Sequence, residues 1–221
     1  MASADAQAIE RFSKLYYDGV DGASPPFSTL TWLGVPILKC PEDLQMYQEI
    51  LFRSKPDIII ETGVAFGGST LYLASLCDIM DQGEIVAVDV TLGHVSARTR
   101  SHPRVTLVEG SSADPDIGVY LEAAARGKRT MLILDSDHTA AHVMAELALL
   151  APLVTEGCYC IVEDTNINGH PVAPGWGPGP YEAVDRFLSM SPLGASFQRD
   201  LWCERMLLSF NPGGYLRRIA A

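Results

Sequence analysis

The stretch "DIIIETGVAFGGST" (57–70) decides the fold. Three consecutive isoleucines between charged residues show no polar–apolar alternation, so they read as a strand buried on both faces. Gly63, Gly67 and Gly68 then carry the chain through a tight turn, and Ser69 leads into "LYLASLCDIM" (71–80), which reads as a helix. Strand, glycine turn and helix make the first part of a unit whose next strand runs parallel to the first.

The pattern continues outward in both directions. Strand-like runs recur as "EIVAVDV" (84–90), "RVTLVE" (104–109), "TMLILD" (130–135) and "CYCIVE" (158–163). Between them, Asp114-Pro115 opens a helix that carries Ile117, Tyr120, Leu121 and Ala124 on one face and closes at Gly127. Further helices are expected over Thr139–Leu150 and Pro180–Leu188. Upstream, Ile9, Phe12, Leu15 and Tyr16 have helical spacing within 5–17, and Pro41 stands as a first-turn proline ahead of Leu44, Tyr47 and Leu51. At the other end, "ERMLLSF" (204–210) reads as a strand paired with "SFQRD" (196–200). The expected architecture is α/β: a doubly wound, mostly parallel, seven-stranded Rossmann-like sheet. It occupies residues 41–221 and follows an N-terminal helical extension over 1–40.

Composition narrows the function. The chain has 221 residues, 48% of them hydrophobic, which is enough for one well-buried core. A formal charge of −11 and the absence of any Lys/Arg cluster argue against nucleic acid. The N-terminus lacks the basic and apolar regions of a signal peptide. The longest apolar run, "LALLAPLV" (147–154), is interrupted by Pro152 and is too short to span a bilayer. Five scattered cysteines (40, 77, 158, 160, 203) fit neither a disulfide framework nor a zinc site; Cys158 and Cys160 read as small fillers on one strand face. A reduced, cytoplasmic protein is the expectation.

Open parallel sheets bind ligands beyond the carboxyl ends of their strands. Four of the strands end in acids, namely Glu61, Asp89, Asp135 and Glu163, so all four should meet at one rim. The glycine turn lacks the lysine of a P-loop and the spacing of G-x-G-x-x-G. Glu61 beside it would repel a diphosphate, whereas a ligand with an ammonium and a sulfonium suits it. S-adenosyl-L-methionine is that ligand. Asp89, 26 residues after Gly63, stands where an acid takes ribose hydroxyls. Ser111 and Ser112 are placed to bond the adenine edge or to cap the next helix. The candidate cofactor residues are therefore Glu61, Gly63, Gly67, Ser69, Asp89, Ser111, Ser112 and Asp135.

Asp135, Glu163 and Asp164 are the candidate metal ligands. Three neighbouring carboxylates repel one another, and a hard cation removes the conflict. All-oxygen ligation points to Mg²⁺, with Mn²⁺ and Ca²⁺ as alternatives. Glu163 and Asp164 serve one ion only if the chain turns out of the strand between them. His138, three residues after Asp135, is the candidate general base. Asp137 has three readings: a partner for His138, a second base, or a helix-terminal acid. His142 reads as scaffolding. His170 and Trp176 lie in "GHPVAPGWGPGP" (169–180), a loop long enough to act as a lid, with Trp176 a candidate for packing on the acceptor.

"TWLGVPILKCPEDLQMYQEI" (31–50), "IIETGVAFGGST" (59–70), "VEDTNINGHPVAPGWGPGPYEAV" (162–184) and "NPGGYLRR" (211–218) together resemble the cephalosporin hydroxylase family. Despite that name, the resemblance implies a class I methyltransferase fold. The family includes rhamnosyl O-methyltransferases and an enzyme of cephamycin biosynthesis. A wider resemblance, to metal-dependent catechol-type O-methyltransferases, implies that Asp135, Glu163 and Asp164 stand at the Mg²⁺ positions, with Asp164 where asparagine is usual. It also implies that His138 stands where their catalytic lysine does.

The expected activity is therefore Mg²⁺- and S-adenosylmethionine-dependent O-methylation of a sugar or natural-product hydroxyl, as in antibiotic biosynthesis. The expected assembly is a homo-oligomer, with helix 5–17 and the last strand as candidate contact surfaces. Three rivals stand beside it. Asp135-Ser136-Asp137 resembles the D-x-D of metal-dependent glycosyltransferases. An iron oxygenase would need an H-x-D that none of the five histidines provides. The third is a non-catalytic accessory protein that binds the cofactor for a partner enzyme.

Overall fold

The computed structural model describes residues 3–20 and 22–219. Seven strands form the main sheet: β1 (Ile58–Thr62), β2 (Glu84–Asp89), β3 (Val105–Glu109), β4 (Thr130–Leu134), β5 (Tyr159–Val162), β6 (Phe197–Arg199) and β7 (Tyr215–Arg218). Their order is β3-β2-β1-β4-β5-β7-β6. The first five run parallel, and β7 is antiparallel to both its neighbours. The strand order reverses between β1 and β4, the place where open α/β sheets bind ligands.

Helices cover both faces: α1 (Ala4–Asp18), α2 (Pro41–Ser54), α3 (Gly68–Met80), α4 (Ala97–Arg100), α5 (Pro115–Ala125), α6 (Ala140–Leu150) and α7 (Pro180–Met190). Their starts follow local chemistry. Pro41 opens α2 with Glu42 and Asp43 in its first turn. The Asp114 side chain accepts the Asp116 N–H at 2.9 Å to start α5. Glu182 reaches back to accept the Gly179 N–H at 2.7 Å at the start of α7.

Residue parity assigns the strand side chains to the two faces. Ile58, Ile60, Val86, Val88, Leu132, Leu134, Cys160 and Val162 pack with Leu121, Leu147 and Phe187 of α5, α6 and α7. Ile59, Ile85, Ala87, Met131, Ile133 and Ile161 pack with Met46, Ile50, Leu73 and Cys77 of α2 and α3. The central isoleucines are fully buried, each contributing about 1.5–3 kcal/mol by transfer from water. By the same parity Glu61, Asp89, Asp135 and Glu163 all belong to the α2/α3 side. Of the segment ahead of α2, Thr31–Trp32 pairs antiparallel with Val35–Pro36, and Ile37 joins the α2/α3 core. Cys158 and Cys160 lie together in the other core, and all five cysteines are buried and free.

The C-terminal strand differs from the sequence reading. Residues 204–210 form no strand; Met206 and Leu207 are exposed, and the segment turns after a short 3₁₀ stretch over Leu201–Glu204. The strand that enters the sheet is β7, with Arg217 and Arg218 at its end. Its place between β5 and β6 buries Tyr215 and Leu216 in opposite cores, which its short, half-polar sequence does not announce. No helix among the described residues is long and apolar enough to cross a membrane.

Gly63 allows β1 to lie close against the end of β4. Its φ is +84°, and a Cβ built there would fall 1.8 Å from the Asp135 carbonyl oxygen. Gly63→Ala should therefore cost about 3 kcal/mol or more in urea unfolding. Gly175→Ala, whose Cβ would meet nothing within 4 Å, should stay within about 0.5 kcal/mol of the parent.

Candidate active site at the carboxyl rim of the sheet

Register brings the strand ends level. Thr62 pairs with Val88 and Leu134, and Leu134 pairs with Val162, so Gly63, Asp89, Asp135 and Glu163 emerge at one edge. Above β1, β2 and β4 opens a cavity of about 520 Å³, within the size range of small-molecule sites. Its wall includes Pro36–Leu38, Gly63–Phe66, Gly68, Ser69, Asp89, Gly110, Ser112, Asp135–Asp137 and His142. The expected cofactor residues Gly63, Ser69, Asp89, Ser112 and Asp135 thus face one space. Glu61, Gly67 and Ser111 are not in its wall.

Glu61 is fully buried, two residues short of Gly63 at the rim and level with Ala87 and Ile133. Its Oε2 accepts the Thr70 hydroxyl at 2.5 Å, while Oε1 has no hydrogen-bond partner among the described residues. Burial raises its pKa against the opposing influence of the Ser69 and Thr70 hydroxyls. Asp89 is clamped by backbone: Oδ2 accepts from Val64 N at 2.7 Å and Ala65 N at 3.0 Å, and Oδ1 from Thr91 N at 3.1 Å. It thereby ties the glycine turn to the end of β2. Ser112 Oγ lies 3.1 Å from His142 Nε2 and 3.4 Å from Ser136 Oγ. Behind them Ser136 donates to the buried Glu146 at 2.8 Å. His142, beyond scaffolding α6, is therefore part of the cavity wall, and hydrogen bonding to Glu146 raises its pKa.

The second half of the site is ionic. Lys39, absent from the set expected from the sequence, sends its ammonium into the rim. Its Nζ contacts Asp135 Oδ2 and lies 2.7 Å from Glu163 Oε2, with the lysine side chain only 4% exposed. Burial alone would lower the lysine pKa, but Asp135 and Glu163 overcome that and hold it above its ordinary range. Asp135 is pushed up by burial, opposed by Lys39 and helped by Asp164. Glu163 is pushed up by burial and by Asp135, against Lys39 and the neighbouring Tyr47 hydroxyl. Glu163 Oε1 is buried without a hydrogen-bond partner among the described residues.

The chain does turn between Glu163 and Asp164. Asp164 has φ +54°, a left-handed conformation that Asp and Asn tolerate better than most residues. The turn sends Asp164 Oδ2 to 3.1 Å from His138 Nε2, which is also 4.0 Å from Asp135 Oδ1. Asp135, His138 and Asp164 can each offer one ligand atom, with all three atoms within 4.8 Å of one another. The Asn211 side chain fixes the turn by accepting the Asp164 N–H at 3.0 Å, and Thr165 Oγ1 donates to the Pro212 carbonyl at 2.8 Å. Asn211 also donates to the Tyr47 hydroxyl at 3.1 Å. Asp43 of α2 accepts from Ser209 Oγ, Phe210 N and the Tyr215 hydroxyl, fastening this C-terminal loop to the core.

Asp137 is exposed and accepts the Thr139 N–H at 2.8 Å; the Thr139 hydroxyl first, and this N–H beside it, hold its carboxyl below the ordinary range. Asp135 and Asp137 therefore serve different contacts, one on Lys39 and one at the start of α6. In the loop that follows Asp164, the exposed Trp176 donates to the His138 carbonyl at 3.2 Å, with its ring 6.5 Å from the imidazole. His170 is turned away from His138, paired with Glu182 at 3.0 Å and stacked on Tyr181 at 3.9 Å.

Sheet order, switch-point cavity and acid-ended strands define the class I methyltransferase fold, the class of the S-adenosylmethionine-dependent O-methyltransferases. The chain belongs to the rhamnosyl O-methyltransferase/CmcI family, whose pattern matches residues 27–219. It is 40% identical over 182 residues to a rhamnosyl O-methyltransferase of Mycobacterium tuberculosis, covering 80% of this chain and 72% of that protein. It is 36% identical over 214 residues to one from Mycobacterium leprae, covering 95% and 90%. Among solved structures, CmcI with Mg and S-adenosylmethionine superposes with a TM-score of 0.68 at 24% identity, over 100% of this chain and 86% of that one. CalS11, a TDP-rhamnose 3'-O-methyltransferase of calicheamicin biosynthesis, gives 0.54 at 17% identity, over 100% and 97%. At these identities the structural likeness concerns the fold.

The raised carboxyls of Asp135 and Glu163 have a consequence for stability. Between the ordinary carboxylate range and their raised folded values, the folded state holds protons that the unfolded state has released. Their contribution is thus full at low pH and lost as pH rises through that window. In EDTA, wild type should lose stability between about pH 5 and about pH 8, and Asp135→Asn/Glu163→Gln should flatten this slope, read by urea unfolding at each pH.

Proposed function

We propose that this protein transfers the methyl group of S-adenosylmethionine to a sugar hydroxyl, with a divalent cation, Mg²⁺ first, at Asp135, Glu163 and Asp164. The observation that carries the reading is the convergence of the Asp135 and Asp164 carboxylates, with His138 between them, beside the cavity that follows the glycine turn; Glu163, held on Lys39, stands outside that group and would have to close onto the ion. The donor set suits a hard cation: carboxylate oxygens from adjacent strand ends, one of them the unpartnered Glu163 Oε1. The cavity suits the methyl donor, with Asp89 for ribose hydroxyls and Ser112 and His142 for the base edge; Glu61 lies buried behind the wall, bonded to Thr70. When bound, the donor supplies an electrophilic methyl on sulfur, and the cation polarises a hydroxyl.

The remaining work falls to the chain. Lys39, Asn211 and the left-handed turn at Asp164 hold the carboxylates in place. His138 Nε2 lies 3.1 Å from Asp164 Oδ2 in the free site; with Asp164 drawn to a cation, that nitrogen would be released to take the proton of the acceptor hydroxyl as oxygen displaces sulfur from the methyl carbon, leaving S-adenosylhomocysteine. Partly exposed, it passes the proton on to solvent. Trp176 stands over His138 and offers an aromatic face to a sugar ring. Alignment of oxygen, methyl and sulfur supplies most of the acceleration. The acceptor class is drawn from the relatives named as rhamnosyl O-methyltransferases. A rhamnoside on a glycolipid or natural product is the first candidate.

Two measurements separate base from ligand. His138→Ala should lower kcat on a rhamnosyl acceptor by about 10²-fold or more, with Mg²⁺ affinity by calorimetry unchanged. Full activity would remove His138 from the mechanism, and a parallel loss of Mg²⁺ affinity would make it a ligand. Asp135→Asn and Glu163→Gln should each weaken Mg²⁺ by at least about tenfold, and activity insensitive to EDTA would defeat the metal reading.

A further inference from the structure

Lys39 divides the oxygens of the rim in two. It takes Asp135 Oδ2 and Glu163 Oε2. It leaves Asp135 Oδ1, which faces His138, and the buried, unpartnered Glu163 Oε1. A cation at the rim and the lysine would therefore use different atoms of the same two acids. The charges also balance. Asp135, Glu163 and Asp164 carry three negative charges when ionised, and one divalent ion plus one ammonium carries three positive. A divalent ion alone would leave one negative charge over.

We propose that Lys39 is the resident counter-cation of this three-carboxylate site. It holds Asp135 and Glu163 together before a metal arrives, and it stays beside the metal so that the loaded site is neutral with a single divalent ion. The inference rests on the metal assignment above. Lys39 reaches the rim because the segment from Val35 to Cys40 enters on the α2/α3 side of the sheet, the side to which parity sends Asp135 and Glu163. An ammonium among buried carboxylates removes the repulsion that would otherwise drive them apart. Being fixed to the chain, it does so whether or not an ion is bound.

The test is thermal melting and calorimetry on Lys39→Met, a substitution that keeps the length of the stem and removes the charge. In EDTA the variant should melt at least about 5 °C below wild type, the loss expected on breaking one buried ion pair. Its Mg²⁺-induced gain in Tm should be at least double the wild-type gain, and its Mg²⁺ affinity at least about tenfold tighter, because a positive neighbour is gone. Lys39→Met/Asp164→Asn, with one charge of each sign removed, should recover most of the lost Tm.

An unchanged Tm in EDTA, or an equal or smaller Mg²⁺ response, overturns the proposal. A Lys39→Met that folds only when produced with Mg²⁺ supports it. One that fails with Mg²⁺ and also fails as the double variant overturns it. Wild type without any Mg²⁺ response would defeat the metal assignment, and the loaded-site half of the proposal with it. Lys39→Met/Glu163→Gln then judges the rest: recovery of Tm in EDTA supports the counter-cation, and no recovery overturns it.

Discussion

Two carboxylates at the ends of adjacent parallel strands cannot share a rim without a positive partner. That constraint shapes the site. β4 and β5 lie in register, so Asp135 and Glu163 leave the sheet side by side, on the same face. The partner comes from 96 residues upstream of Asp135, from Lys39 at the threshold of α2. A lysine buried to this degree costs free energy unless it is paired, and the acids cost free energy unless they are neutralised. Each offsets part of the penalty of the other, and the carboxyls of Asp135 and Glu163 stay raised by what is left. The segment over Val35–Cys40 is held in place by that contact, by Ile37 in the core, and by the close approach of Pro36 to Gly68 at the start of α3.

A second set of contacts gives Asp164 a different task from Glu163. Consecutive residues on a strand face opposite ways, and the left-handed turn at Asp164 breaks that rule. The turn is held from the far end of the chain. Asn211 accepts from Asp164 N, and the Gly214 carbonyl accepts from Val162 N at 2.9 Å. Gly214 has to be small here, since a Cβ would meet the Val162 carbonyl oxygen at 2.2 Å. Asp43 fastens the same loop to α2, the helix that Lys39 precedes. The N-terminal and C-terminal thirds of the chain thus meet at the rim and fix the acids from two sides. The geometry separates the chemistry accordingly: Asp89 and the glycine turn on the cavity side, His138 and Trp176 on the side that the acceptor would approach.

The sheet was legible because its central strands are continuous apolar runs and its helices carry their own caps. Ile58–Ile60, Met131–Leu134 and Cys160–Val162 need both faces covered, and Asp114, Pro41 and Pro180 mark where the covering helices begin. The acids ending the strands were legible for the same reason: a charge after a buried run marks the carboxyl end of the strand, although Glu61 and Glu163 themselves are buried there. The terminal strand was not. "ERMLLSF" is the more apolar segment, yet "YLRR" enters the sheet, because the gap between β5 and β6 selects for hydrogen-bond register and for two buried residues, Tyr215 and Leu216.

The sequence by itself determined the α/β class, the place of the glycine turn between the first strand and its helix, and the identity of Asp89, Asp135, His138, Glu163 and Asp164 as rim residues. These follow from local periodicity and from the spacing of strand ends. Tertiary structure alone decided which atoms meet. It placed Lys39 between Asp135 and Glu163, His138 on Asp164, and His142 in the cavity wall, and it sent His170 to Glu182. The one local hint of Lys39 was a charge set directly after the apolar stretch "VPIL" (35–38). Such a residue shows that a partner is required, but its position in the chain carries no information about where that partner lies, because ion pairing acts through space.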